Sequence, residues 1–238
     1  MLLMNIIRLI TGLTAGYLAT ALLLSVPASA DSGLDILEKK CSGCHNLTGP
    51  SPQTLEEVQQ RKGPDLFYAG NKYRKEWLEE WLQEPERIRP AGMYYGKHIK
   101  AGDEQDVIDP STLEAHMAVS EEQAEAIAGT LMTYKAKSDL ISAGEYQPGH
   151  ISLSMGELMF DKFRGCLACH QIEPGYGGLS GPEVYTAAKR LQDDYLMSYM
   201  RNPKAWDPKV FMPSGYIREK DLAKFAHYFH ALSEEDFE

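Results

Sequence analysis

The chain has 238 residues, 43% of them hydrophobic and 24% charged, which excludes a disordered polymer and leaves room for one large or two small hydrophobic cores. A formal net charge of -10 argues against nucleic acid or anionic lipid as a partner and favours docking on a basic protein surface.

The first segment, residues 1–30, carries one charge, Arg8, then an apolar run over 9–26, then Ala28, Ser29 and Ala30 before Asp31. That order is the pattern of a secretory signal with an A-x-A cleavage site, and it predicts a bacterial protein exported to the periplasm. Left uncleaved, the same run approaches the roughly 20 residues of a membrane anchor. Cleavage would remove only Arg8, so the formal net charge would move from -10 to -11. No later segment has the length and hydropathy of a membrane span.

All four cysteines fall in two copies of one pattern, Cys41-Ser-Gly-Cys44-His45 and Cys166-Leu-Ala-Cys169-His170. A disulfide does not require the histidine. Zinc ribbons hold their cysteine pairs about 15–20 residues apart, whereas about 120 separate these two. A redox dithiol needs a strand and helix setting that the flanks lack. C-x-x-C-H has a direct account as a c-type haem anchor: each cysteine forms a thioether with one haem vinyl group, and the adjacent histidine lies under the iron as its proximal ligand. Two such sites predict two covalently bound haems, with His45 and His170 on the metals.

The stretches downstream of the two motifs also repeat. Gly63-Pro64-Asp65-Leu66 corresponds to Gly181-Pro182-Glu183-Val184, and "WLEEWLQEP" from Trp77 to "YLMSYMRNP" from Tyr195, always 118 residues apart. Each half then closes with a helix of 3.6-residue apolar period. The first has Ala124, Ile127, Leu131 and Tyr134 behind a capping box of Ser120 and Gln123; the second has Leu222, Phe225, Ala226, Phe229 and Leu232. Gly144, Pro148 and Gly149 mark a linker. No alternating run suggests a sheet. The expected fold is all-α, with a signal at 1–30, a domain at 31–137, a linker at 138–152 and a second domain at 153–238. Trp77, Trp81, Tyr195 and Tyr199 are expected in the cores of the short helices, and His227 and His230 on the surface of the last one.

The two motifs, the Gly-Pro repeats and the Pro-to-Met stretches together resemble the class I cytochrome c family, once in each half and over essentially the whole chain after the signal. The resemblance implies an early helix crossing the closing helix and a methionine loop over the haem. It implies that the carbonyls of Pro64 and Pro182 accept the ring N–H of His45 and His170, orienting them. In the second half it assigns Met212, nine residues after Pro203 and beside Pro213, as sixth ligand. In the first half Met93, eight residues after Pro85, matches best, but about 23 further residues precede the closing helix, and Met117, His98 and His116 also lie within reach. That insertion carries Asp103, Glu104, Asp106, Asp109 and Glu114 beside Lys97 and Lys100, as a docking or a solvated loop.

The function implied is a one-electron carrier with redox protein partners, free or as a subunit of a complex. The alternative is a haem enzyme, a peroxidase or sulfur-compound oxidoreductase, with an open or labile first site.

Overall fold

The computed structural model describes residues 32–103 and 106–237; the signal pattern at 1–30 and Glu104 lie outside the described residues. Two helix crossings organise these residues, and each depends on a glycine. Helix α1 (Gly33–Ile36) is capped by the Ser32 side chain, which accepts from the Asp35 amide, and widens into a π turn over Leu37–Cys41 that ends on the first motif cysteine. It crosses helix α5 (Glu121–Leu131) so closely that a Cβ on Gly33 would lie 1.9 Å from the Ala126 carbonyl oxygen. The second half repeats the device. Helix α6 (Leu153–Leu158) widens over Met159–Phe163 just before Cys166, and it crosses the closing helix α10 (Glu219–Ser233) with Gly156 under the Tyr228 ring, 2.1 Å from where a Cβ would stand.

Between these crossings lie α2 (Leu55–Gln60), α3 (Ala69–Lys72) and α4 (Lys75–Gln83) in the first half, and α7 (Ala187–Arg190), α8 (Asp193–Arg201) and α9 (Pro203–Trp206) in the second. The pairs α3/α4 and α7/α8 are 118 residues apart at both ends, so the repeat is structural as well as sequential. Helix α4 buries Leu78 and Leu82, and α8 buries Tyr195, Leu196, Met197 and Met200. Tyr195 is core as expected, whereas Trp77, Trp81 and Tyr199 are half-buried at its edge.

Helices dominate, as the sequence predicts, but two short antiparallel ribbons are added: β1 (Ile99–Lys100) with β2 (Val107–Ile108), and β3 (Gln171–Glu173) with β4 (Tyr176–Gly177). Strands of two or three residues are too short to print a period-2 pattern, and the first ribbon gives the insertion a hairpin. Ser120 caps α5 by accepting from the Gln123 amide at 3.3 Å, while the reciprocal capping box occurs at Thr54 and Glu57 instead.

The two halves meet along a seam of quasi-twofold form. Tyr73 pairs antiparallel with its repeat equivalent Leu191. The Arg74 amide donates to the Arg190 carbonyl at 3.0 Å, and the equivalent Gln192 amide donates to the Lys72 carbonyl at 2.9 Å. Even the side chains mirror one another: Arg74 Nε donates to Ala188 O, and Gln192 Nε2 to Gly70 O. Such an arrangement, in which residue i meets j and j meets i, is the signature of an isologous interface. Fully buried Trp206 from the second half packs on Tyr68 of the first, and Lys137 Nζ donates to the Trp206 carbonyl. The linker lies along the second half: Gly144 and Tyr146 amides donate to the Asp194 carboxylate, and Tyr146 stacks on His230. His227 and His230 are accordingly half-buried beneath it rather than free on the surface, with His230 2.8 Å from Asp193.

Replacing Gly33 by Ala should cost about 1–3 kcal/mol, because a backbone carbonyl cannot step aside. The same change at Gly129, where no atom would lie within 4 Å of the new Cβ, should gain about 0.5–1 kcal/mol of helix propensity. Thermal unfolding of the two variants checks the pair; equal shifts would contradict the close crossing.

Candidate functional site

Each C-x-x-C-H motif closes a single turn. The His45 amide donates to the Cys41 carbonyl at 2.9 Å, and the His170 amide to that of Cys166 at 3.1 Å, so cysteines and histidine issue from one tight coil. All four thiols are free; Cys41 and Cys166 are half-buried and Cys44 and Cys169 exposed. Burial raises the Cys41 thiol pKa and pushes Cys166 up to about 11, which keeps both protonated near neutrality. Among the described residues no three His, Cys, Asp or Glu side chains converge into a metal cluster. A zinc-type set is therefore not assembled by either motif.

Each histidine is held from below by its Gly-Pro loop. His45 Nδ1 lies 2.9 Å from the Pro64 carbonyl oxygen, and His170 Nδ1 lies 2.6 Å from that of Pro182. A carbonyl only accepts, so Nδ1 carries the proton in both rings, and each Nε2 keeps its lone pair. Burial lowers the pKa of His45, and it brings that of His170 down to about 4, so both rings are neutral at pH 7. The glycine before each proline supplies the room. A Cβ on Gly63 would stand 2.6 Å from the His45 ring, and one on Gly181 would stand 2.7 Å from that of His170. Each loop has a second latch: the Leu66 amide donates to Asn46 O and the Val184 amide to Gln171 O, both at 2.9 Å.

The acidic residue after each proline is buried and paired, Asp65 with Arg61 at 2.9 Å and Glu183 with Arg190 at 3.2 Å. Arg61 also reaches Asp207 of the other half. The segment after α4 crosses in return: Glu183 N donates to Ile88 O, and Ala91 N to Leu179 O. The loop under His170 is thus braced by the first half. Neither the cradle role of the glycine nor the anchoring role of the acid is apparent from the repeat alone; the shared Gly-Pro-acid order is the one signal of them in the sequence.

The candidate sixth ligands are dispersed. Met212 is half-buried against the core. Met93 is half-buried two residues beyond Ala91, whose amide ties the segment to the second half. His98 is bonded through Nδ1 to Thr112, in the turn after the hairpin, and Met117 is 41% exposed. His116, also exposed, lies beside His45 in an edge-type ring contact, with centroids 6.0 Å apart. The residues present fit a covalently anchored haem: free paired thiols, a neutral imidazole with its outer nitrogen available, and a cradle that only glycine permits.

Comparison with known proteins returns no matching family model, no matching curated protein and no matching solved structure. Among the described residues no helix is long and apolar enough to cross a membrane.

Gly181→Ala should force the His170 ring off the Pro182 carbonyl. The expected result is loss of a slowly exchanging imidazole N–H resonance, together with a destabilisation of about 1–3 kcal/mol. A variant that keeps both the resonance and the wild-type unfolding midpoint would contradict the cradle.

Proposed function

We propose that the protein is an exported, periplasmic di-haem c-type cytochrome with two class I cytochrome c domains, acting as a one-electron carrier rather than an enzyme. The observation that carries this reading is the duplicated constellation of a C-x-x-C-H turn whose histidine Nδ1 is tied to a Gly-Pro carbonyl. Cys41 and Cys44 would hold one haem c, and Cys166 and Cys169 the other, with His45 and His170 on the irons. A haem so bound supplies reversible one-electron exchange between ferric and ferrous iron.

The chain's own part is to keep the ligands in place. Pro64 and Pro182 fix the tautomer and raise the basicity of each imidazole. Met212 is the thioether assigned to the second iron, where a soft sulfur favours the ferrous state; the first draws its sixth donor from the segment 93–117. With such donors in place no position would be left for a substrate, which favours a carrier over a peroxidase. The brace between the halves limits rearrangement of either site. The acidic charge suits redox protein partners with a basic docking surface and argues against nucleic acid. Export rests on the signal pattern at 1–30.

The test is the visible spectrum of the purified, reduced protein before and after carbon monoxide. A c-type spectrum that carbon monoxide leaves unchanged is expected, and Met212→Ala should make about half of the haem reactive. A wild-type protein in which half or more of the haem binds carbon monoxide would overturn the carrier reading in favour of catalysis at an open site.

A further inference from the structure

The donor beside His45 is not the one that motif spacing selects. His116 stands on the segment leading into α5, which is fixed on both sides of it: the Val119 amide donates to Leu82 O at 3.0 Å, and Arg87 Nη2 donates to Glu114 O at 3.0 Å. The Trp81 ring packs on the imidazole at 4.7 Å and is itself held by its Nε1–H on Glu86 O. His116 Nδ1 lies 2.8 Å from the Met117 carbonyl, which can only accept. The proton is therefore on Nδ1 and the lone pair on Nε2, the same tautomer that Pro64 imposes on His45.

The spacing of the two rings would admit a shared metal. With metal–nitrogen bonds of about 2 Å and the ring centre about 1 Å beyond, imidazoles on opposite sides of one ion stand roughly 6 Å apart; His45 and His116 are 6.0 Å apart. Their 60° interplanar angle is compatible with this, since axial rings rotate about the bond. The rivals are placed less well. The Met93 segment is bonded through Ala91 and Ile88 to the loop under His170, and His98 is bonded to Thr112, whereas His116, although exposed like Met117, is the candidate whose ring lies beside that of His45.

We propose that His116, rather than Met93, is the second axial ligand of the iron anchored by Cys41, Cys44 and His45, so that the protein carries one bis-histidine and one His/Met centre. This rests on the di-haem reading. Because imidazole favours ferrous iron less than a thioether does, the first centre has the lower potential of the two.

The experiment uses the exported, haem-loaded protein. Haem per chain is counted first; then the oxidised protein is studied by low-temperature electron paramagnetic resonance and for its thioether-to-iron charge-transfer band, and finally by redox titration. The expected result is two haems, a charge-transfer band equivalent to one haem per chain, and two separate potentials. His116→Ala should make about half of the reduced haem bind carbon monoxide, while Met93→Ala and Met117→Ala leave the spectra unchanged. His116→Met, which keeps a donor in case the alanine variant fails to fold, should double the charge-transfer band and raise the lower potential. Two thioether bands in the wild type, or an opened site in Met93→Ala or Met117→Ala with His116→Ala unaltered, would overturn the assignment while leaving two haems in place. A chain without haem would instead overturn the di-haem reading beneath it.

Discussion

The hydrogen bond from each motif histidine to a proline carbonyl is the constraint on which the rest of both sites depends. Its net contribution to stability is only about 1 kcal/mol, but its chemical consequence is larger. It puts the proton on Nδ1 and turns the Nε2 lone pair away from the Gly-Pro loop. For the bond to form, the ring must lie against the backbone of the preceding glycine, so Gly63 and Gly181 cannot bear a side chain. The buried acid two residues after each glycine then anchors the loop through an arginine. Glycine, proline and acid thus act together in Gly63-Pro64-Asp65 and in Gly181-Pro182-Glu183.

The quasi-twofold seam extends this constraint from one site to the other. Because Tyr73 meets Leu191 and Arg74 meets Arg190 through main-chain bonds, α3/α4 and α7/α8 face each other as equivalents. Each half also sends the segment after its α4 or α8 toward the Gly-Pro loop of the other: Ile88 reaches Glu183, and Asp207 reaches Arg61. The symmetry ends beyond that point. The first half inserts a hairpin and brings the His116 ring to 6.0 Å from that of its motif histidine, whereas the second runs directly through Met212 into α10. The structural difference around the two motif histidines therefore lies in one segment, on a frame otherwise shared.

The motifs, the 118-residue repeat and the closing helices are legible in the sequence because each is a matter of spacing. The helix crossings are implied by the family resemblance, but the glycines that permit them, Gly33 and Gly156, are not legible, since a single glycine in a short helix carries no sign of what approaches it. The seam is illegible for another reason: its bonds between Arg74, Arg190, Lys72 and Gln192 are largely main-chain and leave little trace in side-chain pattern. Counting from Pro85 selects Met93, as the same counting from Pro203 selects Met212. The contact of His116 with His45 does not show in that counting, because the insertion breaks the register and the segment returns through the Trp81 ring on His116 and the Val119 amide on Leu82 O. The helical period puts Trp81 in the core, yet the ring lies at the core's edge and supports that imidazole.

Covalent attachment of haem at each C-x-x-C-H turn is tested most directly by mass spectrometry of a proteolytic digest of the exported protein, tracking the peptides that contain Cys41 and Cys44 and those that contain Cys166 and Cys169. Both peptides should carry the mass of one haem added to two thiols, with no unmodified form dominating. Free thiols or disulfides on either peptide in the mature protein would contradict a haem anchor there.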